Sequence, residues 1–443
     1  MRLSALHGKR RYVKLAWIAL PATVLAAALA SPGRAELVHG GQVDGARVAL
    51  GAGGRTSVVY VLGPRVVAAT RTAEGWASGT LVSFGSAVEL DGVAWTPRGI
   101  AVLARARDGS RLVLWDGKRR IAFRRDSKQA LFGPAGLAVD EQGRLLVGYA
   151  LWFPSRKSFL RLARITSDGK VFTRAVTKEG FPSSRTLPAA APVVLESGEV
   201  RVVETFLPAA INWGLTGWGK LLFSSALGVP TGAVAAAAAG STVYAAWTEA
   251  FPTLGPPAVV LATHADRVRS GVEIENAALA ALVVTSAGPE LAANRCIPAA
   301  AFGLEGNGVC GGLVSGAGVD GIVADYEATA TGRQLVVQTP VGLEWFASAA
   351  APQPRVRLNG DLTGRVEGAT GGTITIYRER PDAPRTPLGV VPLAADGSFS
   401  IPAPASPLAT AYRAVYADPA TGIPYAALVG PSPRTSSRAS LPR

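Results

Sequence analysis

The sequence predicts an all-β chain: a six- or seven-bladed β-propeller followed by a small C-terminal β-sandwich. Three observations predict it. Apolar runs recur in pairs around Gly-containing turns. The pairs return every 41 to 56 residues, with starts near residues 92, 136, 192, 233, 281 and 326. After a Pro-rich junction, "APQPR" (Ala351–Arg355), the pattern changes to short alternating strands. A length of 443 residues fits more than one domain, and 48% hydrophobic with 17% charged residues describes a chain that buries a core.

The unit is clearest in "GLAVDEQGRLLVGYA" (Gly136–Ala150). Asp140 can accept hydrogen bonds from the backbone just after it and Gly143 tolerates positive φ, so "DEQG" is a turn between two strands. "GVAWTPRGIAVLARA" (Gly92–Ala106), "PVVLESGEVRVVETF" (Pro192–Phe206), "AVAAAAAGSTVYAAW" (Ala233–Trp247) and "YEATATGRQLVVQTP" (Tyr326–Pro340) repeat it, and "ALVVTSAGPELAANRC" (Ala281–Cys296) is a weaker copy. Second pairs follow several units, as in "SFLRLARITSDGKVF" (Ser158–Phe172), and "TSVVYVLGPRVVAATR" (Thr56–Arg71) reads as an earlier, degenerate blade. A period of this length with several strands per repeat is a propeller signature, because one four-stranded sheet cannot bury its own faces and radial stacking can. The expected propeller spans residues 36–350. Ala235–Ala239 has helical propensity, which the repeat context is expected to override.

"PAGLAVDEQGRLLVGYA" (Pro134–Ala150) resembles an NHL-type propeller repeat through Pro134, Gly136, Ala138, Val139, Asp140 and Gly143, although Gly148, Tyr149 and Ala150 stand where that repeat ends in an acid. The resemblance covers one unit and implies the architecture only. Beyond a linker at 351–356, "TITIYRE", "LGVVPL", "GSFSIP", "AYRAVYAD" and "PYAALVG" read as strands of a β-sandwich over 357–430. Their order is similar to Ig-like or transthyretin-like modules of exported bacterial proteins, which implies an adhesion or spacer role. Residues 431–443, rich in Pro, Ser and Arg, read as a disordered tail.

Residues 1–35 read as a cleavable signal peptide. Arg10, Arg11 and Lys14 precede "LAWIALPATVLAAALA" (Leu15–Ala30), which is short for a membrane span, and Gly33 and Ala35 suit a cleavage site. The expected location is therefore secreted or cell-envelope associated, with no membrane span after cleavage. In an oxidising compartment Cys296 and Cys310 are expected to form a disulfide, which stabilises by about 3 kcal/mol for so short a loop. The leader carries six basic residues and no acid, so its removal lowers the formal charge from +14 to about +8. Between Arg98 and Arg185 stand 19 Lys or Arg against 7 Asp or Glu. The partners that suit this surface are an anionic polymer, an envelope polysaccharide or another exported protein, and nucleic acid is not expected.

Chemistry is sparse. The only histidines after the leader are His39 and His264, no G-x-S-x-G elbow occurs, and no zinc spacing is present. Carboxylates remain: Glu204, Glu249, Asp320, Asp325, Glu327 and Glu344 could converge on the channel of a propeller, with "VDGIVADYE" (Val319–Glu327) the densest group. Such acids could hold Ca2+ or cleave a glycan or lactone. Exposed tryptophans suit sugar or partner binding, and Trp152, Trp213 and Trp218 are the candidates. The expected binding residues are thus Trp152, Trp213, Trp218, Asp320, Asp325 and Glu327, with no resident cofactor or metal beyond Ca2+. The expected function is that of an exported, non-catalytic binding or scaffold protein. The alternative is a propeller hydrolase or lyase working through channel carboxylates.

Overall fold

A computed structural model describes residues 35–431, except 52–53, 154, 156, 178–180, 183–186, 207–208, 215–218, 225–228, 252–254, 266–267, 276, 306–307, 330–331, 350–352, 370 and 403–409. The expected signal peptide and tail lie outside the described residues, apart from Ala35 and Pro431 at their edges. Among the described residues regular structure is β-strand, with short 3-10 turns such as Ala299–Phe302.

The inner strands are Ala46–Leu50, Val88–Thr96, Gly136–Val139, Ala189–Val194, Val229–Ala239, Ala277–Thr285 and Ile322–Thr329. Each packs on the next, and the last packs on the first. Antiparallel sheets run outward from this closed circuit, one from each inner strand; Val88–Thr96, Gly99–Ala106, Leu112–Trp115 and Arg120–Ala122 form one of them in that order. The arrangement is a β-propeller. The units read from the sequence are the inner two strands of these sheets: Asp140 Oδ1 accepts from the amides of Gln142 (3.0 Å) and Arg144 (2.9 Å), and Gly143 turns at φ 70°.

Burial explains the composition of each layer. Second strands are covered on both faces and read as continuous apolar runs, as in Leu145–Trp152, where every residue up to Leu151 is buried. The outer strand Val171–Ala175 is exposed throughout. Inner strands converge on the axis and need small residues. A Cβ on Gly136 would lie 2.7 Å from Ala191 Cα of the next sheet. This crowding also explains Ala235–Ala239, which is a strand paired with Thr242–Ala246. Tertiary pairing overrides its helical propensity, as expected from the repeat.

The ring is closed from its N-terminal end. Glu36–Gly40 pairs with Gly342–Ala349 and becomes the outermost strand of the last sheet. Beyond residue 352 stand a three-stranded sheet (Arg355–Leu358, Thr363–Glu367, Ser398–Ser400) and a second sheet built from Ala383–Pro392, Thr373–Arg380, Ala411–Ala417 and Pro424–Val429. That second sheet continues a propeller sheet. Val319, in Ala317–Val319, pairs with Tyr425, giving eight strands in one surface. One apolar cluster spans both parts, with Val337 and Phe346 from the ring and Ile374, Ile376, Tyr416 and Tyr425 from the C-terminal region.

Cys296 and Cys310 are bonded, as expected, across directly facing positions of neighbouring strands with Cα atoms 4.0 Å apart. Beside them Arg413 is buried. Its Nε and Nη2 donate to Glu379 (2.7 and 2.9 Å), and Nη2 also donates to the Cys310 carbonyl at 2.6 Å.

Candidate functional site

A cavity of about 470 Å3 runs along the propeller axis and is lined from every inner strand. Most of its wall is small and apolar, with Ala191, Pro192, Ala233 and Ala235 among its residues. Its charged residues are few: Arg47, Asp91, Asp325 and Glu327.

Two of these acids do the same structural job. Asp325 sits at a register shift of its inner strand, and its Oδ2 accepts from the amide of Val48, on the next inner strand, at 2.7 Å. Asp91 sits at the corresponding kind of shift between Leu90 and Gly92, and its Oδ2 accepts from the amide of Ala135 beside the next inner strand at 3.1 Å. A bulge re-aims one side chain out of the sheet. Here it points a carboxylate at the neighbouring sheet, where it satisfies a backbone donor. Thr248 does this with a hydroxyl, accepting from Leu279 N at 2.9 Å.

Each acid has its own arginine. Arg105 Nε donates to Asp91 Oδ2 at 3.0 Å, and Nη2 pairs with Glu89. Arg47 reaches from the first sheet to Asp325 Oδ1 (3.4 Å) and to the carbonyls of Ala280 (3.0 Å) and Ala324 (3.2 Å). Burial nonetheless dominates both carboxyls. It raises Asp91 to about 6 against the pull of Arg105, and it raises Asp325 against the pull of Arg47.

Glu327 differs. It lies two residues after Asp325, so strand alternation puts it on the same face, toward the same cavity. Burial, and secondarily the neighbouring Asp325, push its carboxyl up to about 8, with Arg47 opposing. At neutral pH the group is mainly a protonated donor beside the Asp325–Arg47 pair. Its proton is held in the native state at pH values where an unfolded chain, at about 4.5, has released it. The native state therefore binds more protons between about pH 4.5 and 8, and the stability associated with Glu327 is lost as pH rises through 8. Glu327→Gln keeps the neutral form at every pH. It is expected to match the parent at pH 5 and to exceed it by about 2–4 kcal/mol at pH 9 in urea unfolding. Equal urea midpoints at pH 9 would show a solvated carboxylate instead.

The other sequence candidates do not meet here. Asp320 lies at the junction with the C-terminal region, accepting from Arg385 Nη1 at 2.7 and 2.8 Å. Trp152 ends a second strand, half-buried and opposite Ser158, and it does not line the axial cavity. Trp213 stands opposite Val202 and Gly219 in the third strand of its sheet. Trp218 lies outside the described residues. Glu204 and Glu249 are buried in second strands, where Glu249 Oε1 accepts from Trp247 Nε1 at 2.9 Å. Glu344 is half-buried, and burial raises its carboxyl. His39 stacks on Tyr60 at 5.1 Å in the closing strand, and His264 is placed opposite Val243 and Arg269. Among the described residues no group of three His, Cys, Asp or Glu side chains is arranged to hold a metal. Sequence reasoning missed Arg47, Asp91 and Arg105. The signal was present as charges inside otherwise apolar strands, one each in "ARVAL" and "GIAVLARA" and two in "VELDGVAW".

No protein-family model matches this chain, and no curated sequence is significantly similar to it. Solved structures do resemble it. An inactive virginiamycin B lyase from Staphylococcus aureus, solved with quinupristin, is 10% identical with a TM-score of 0.45, covering 70% of this chain and 98% of the other. The PQQ-bound aldose sugar dehydrogenase from Streptomyces coelicolor is 14% identical with a TM-score of 0.35, covering 60% and 92%. The WD40 domain of SCAP from fission yeast is 11% identical with a TM-score of 0.33, covering 71% and 98%. Nothing about ligand or activity passes from such distant likenesses to this chain.

Proposed function

We propose that this is an exported, non-catalytic binding protein: a seven-bladed propeller whose axial cavity receives a ligand, carried beside an Ig-like or transthyretin-like β-sandwich that acts as spacer or adhesion module. The observation that carries the reading is how the cavity's charges are spent. Asp91 and Asp325 hold neighbouring inner strands and are matched by Arg105 and Arg47. Glu327 alone remains to offer a proton to an occupant. A single neutral carboxyl in a small apolar chamber suits recognition of a hydroxyl or carbonyl group, as on an envelope polysaccharide, better than two-carboxylate bond cleavage.

One observation favours the second reading, a hydrolase or lyase acting on a glycan or lactone. A carboxyl near 8 has the protonation state of a general acid. Chitotetraose and a lactone such as glucono-1,5-lactone, incubated with the full exported chain, separate the two. Binding by calorimetry that Glu327→Gln weakens, without new products by mass spectrometry, is the expected result. Product formation abolished by Glu327→Gln would replace the binding reading with the enzymatic one.

A further inference from the structure

We propose a second, independent binding site, for a small carboxylate with an apolar body, in the cleft where the propeller sheet runs on into the C-terminal sheet. It goes beyond the axial site and shares no residue with it. The cleft holds about 440 Å3, within the range of small-molecule pockets. Its walls are apolar, with Ile297, Leu313, Val319 and Leu428 among them.

Two arginines line the cleft beside a position without a side chain. Arg295 is paired directly opposite Gly311 across the strands. A Cβ on Gly311 would lie 2.8 Å from Arg413 Nη1. Arg413 Nη1 takes the space that a side chain at 311 would need, and both arginines line the cleft. Arg413 is only 3% exposed. Its Nε and Nη2 are saturated by Glu379 and Cys310, but Nη1 has a single long contact, 3.4 Å to Asp320 Oδ1. That distance lies beyond a normal hydrogen bond. Asp320 is meanwhile taken by Arg385 at 2.7 and 2.8 Å. Arg295 is exposed and has no acidic partner among the described residues. The cluster of Arg295, Arg385 and Arg413 against Asp320 and Glu379 keeps one positive charge in excess. One carboxylate between Arg295 and Arg413 Nη1 completes both the charge balance and the hydrogen bonding, and guanidinium suits that geometry. The apolar wall then takes the ligand's body.

The test is calorimetry on the full chain with decanoate, alongside decanol and decylammonium as chain-matched probes. Expected are one saturable site for decanoate, little binding of the other two, and a loss of about tenfold or more in Arg295→Ala. Arg295 is exposed, so this variant keeps the fold, which circular dichroism checks. Decanol binding as well as decanoate, or Arg295→Ala leaving decanoate affinity unchanged, overturns the proposal. Acetyl-Ala-Leu with a free C-terminus is run in parallel: tighter binding than decanoate identifies a peptide terminus as the source of the carboxylate, and weaker binding a free acid.

Discussion

Arg413→Met is expected to lower the free energy of unfolding by about 3–5 kcal/mol. Arg413 and Glu379 are 3% and 6% exposed, and they share two hydrogen bonds of 2.7 and 2.9 Å. Removing the guanidinium leaves a buried carboxylate without its counter-charge and the Cys310 carbonyl without its donor. The loss is that of an orphaned ion rather than the net worth of the pair. The double variant Arg413→Met, Glu379→Leu is therefore expected to recover most of it, since apolar replacements of matched size often equal a buried ion pair. Urea unfolding of both variants at neutral pH checks this. A single-variant loss below about 1 kcal/mol would show that water reaches the pair in solution. The same experiment reads the coupling of the two parts of the chain. Because one apolar cluster spans them, both should unfold in the same transition.

Trp345→Ala is expected to cost about 3–5 kcal/mol as well, through cavity formation at the seam of the ring. Trp345 is 1% exposed and lies in the strand that pairs with Glu36–Gly40. Its indole meets Trp76 of the first sheet edge-on at 5.5 Å, Arg71 stacks on it at 4.6 Å, and Nε1 donates to Gln334 at 3.2 Å. Three kinds of contact are lost together, and two of them join the first sheet to the last. The variant should lose thermal stability and show early amide exchange in Glu36–Gly40 and Gly342–Ala349. Exchange confined to the substituted position, with the closing strand still protected, would mean that the seam does not depend on this side chain.

Local pattern revealed more of this molecule than chemistry did. Apolar alternation and positive-φ glycines such as Gly143 act within a dozen residues, so hairpins such as 136–150 were readable directly. The Cys296–Cys310 bond was readable from two cysteines in one short segment. Continuity between the propeller sheet and the C-terminal sheet was not, because it turns on one pairing of Val319 with Tyr425, remote in sequence. The axial site was half legible. "VADYE" announced Asp325 and Glu327 by its acid density, whereas Arg47 and Asp91 stand in otherwise apolar strands and their meaning depends on which neighbour they are aimed at. Asp320 stood in the same acidic stretch yet belongs to another place, since a few residues along a strand end suffice to leave the axis for the rim.

The closing strand has a consequence for the order of assembly. Glu36–Gly40 is made before any other strand of the ring, yet its partner Gly342–Ala349 is made some three hundred residues later. Until then every intermediate sheet stack is an open arc with a bare edge at each end, and bare edges invite pairing with other chains. Long-range pairing of this kind also folds slowly. The chain is therefore most exposed to aggregation when nearly complete, and a holdase that masks Glu36–Gly40 should raise the yield of closed rings more than one acting anywhere else along the sequence.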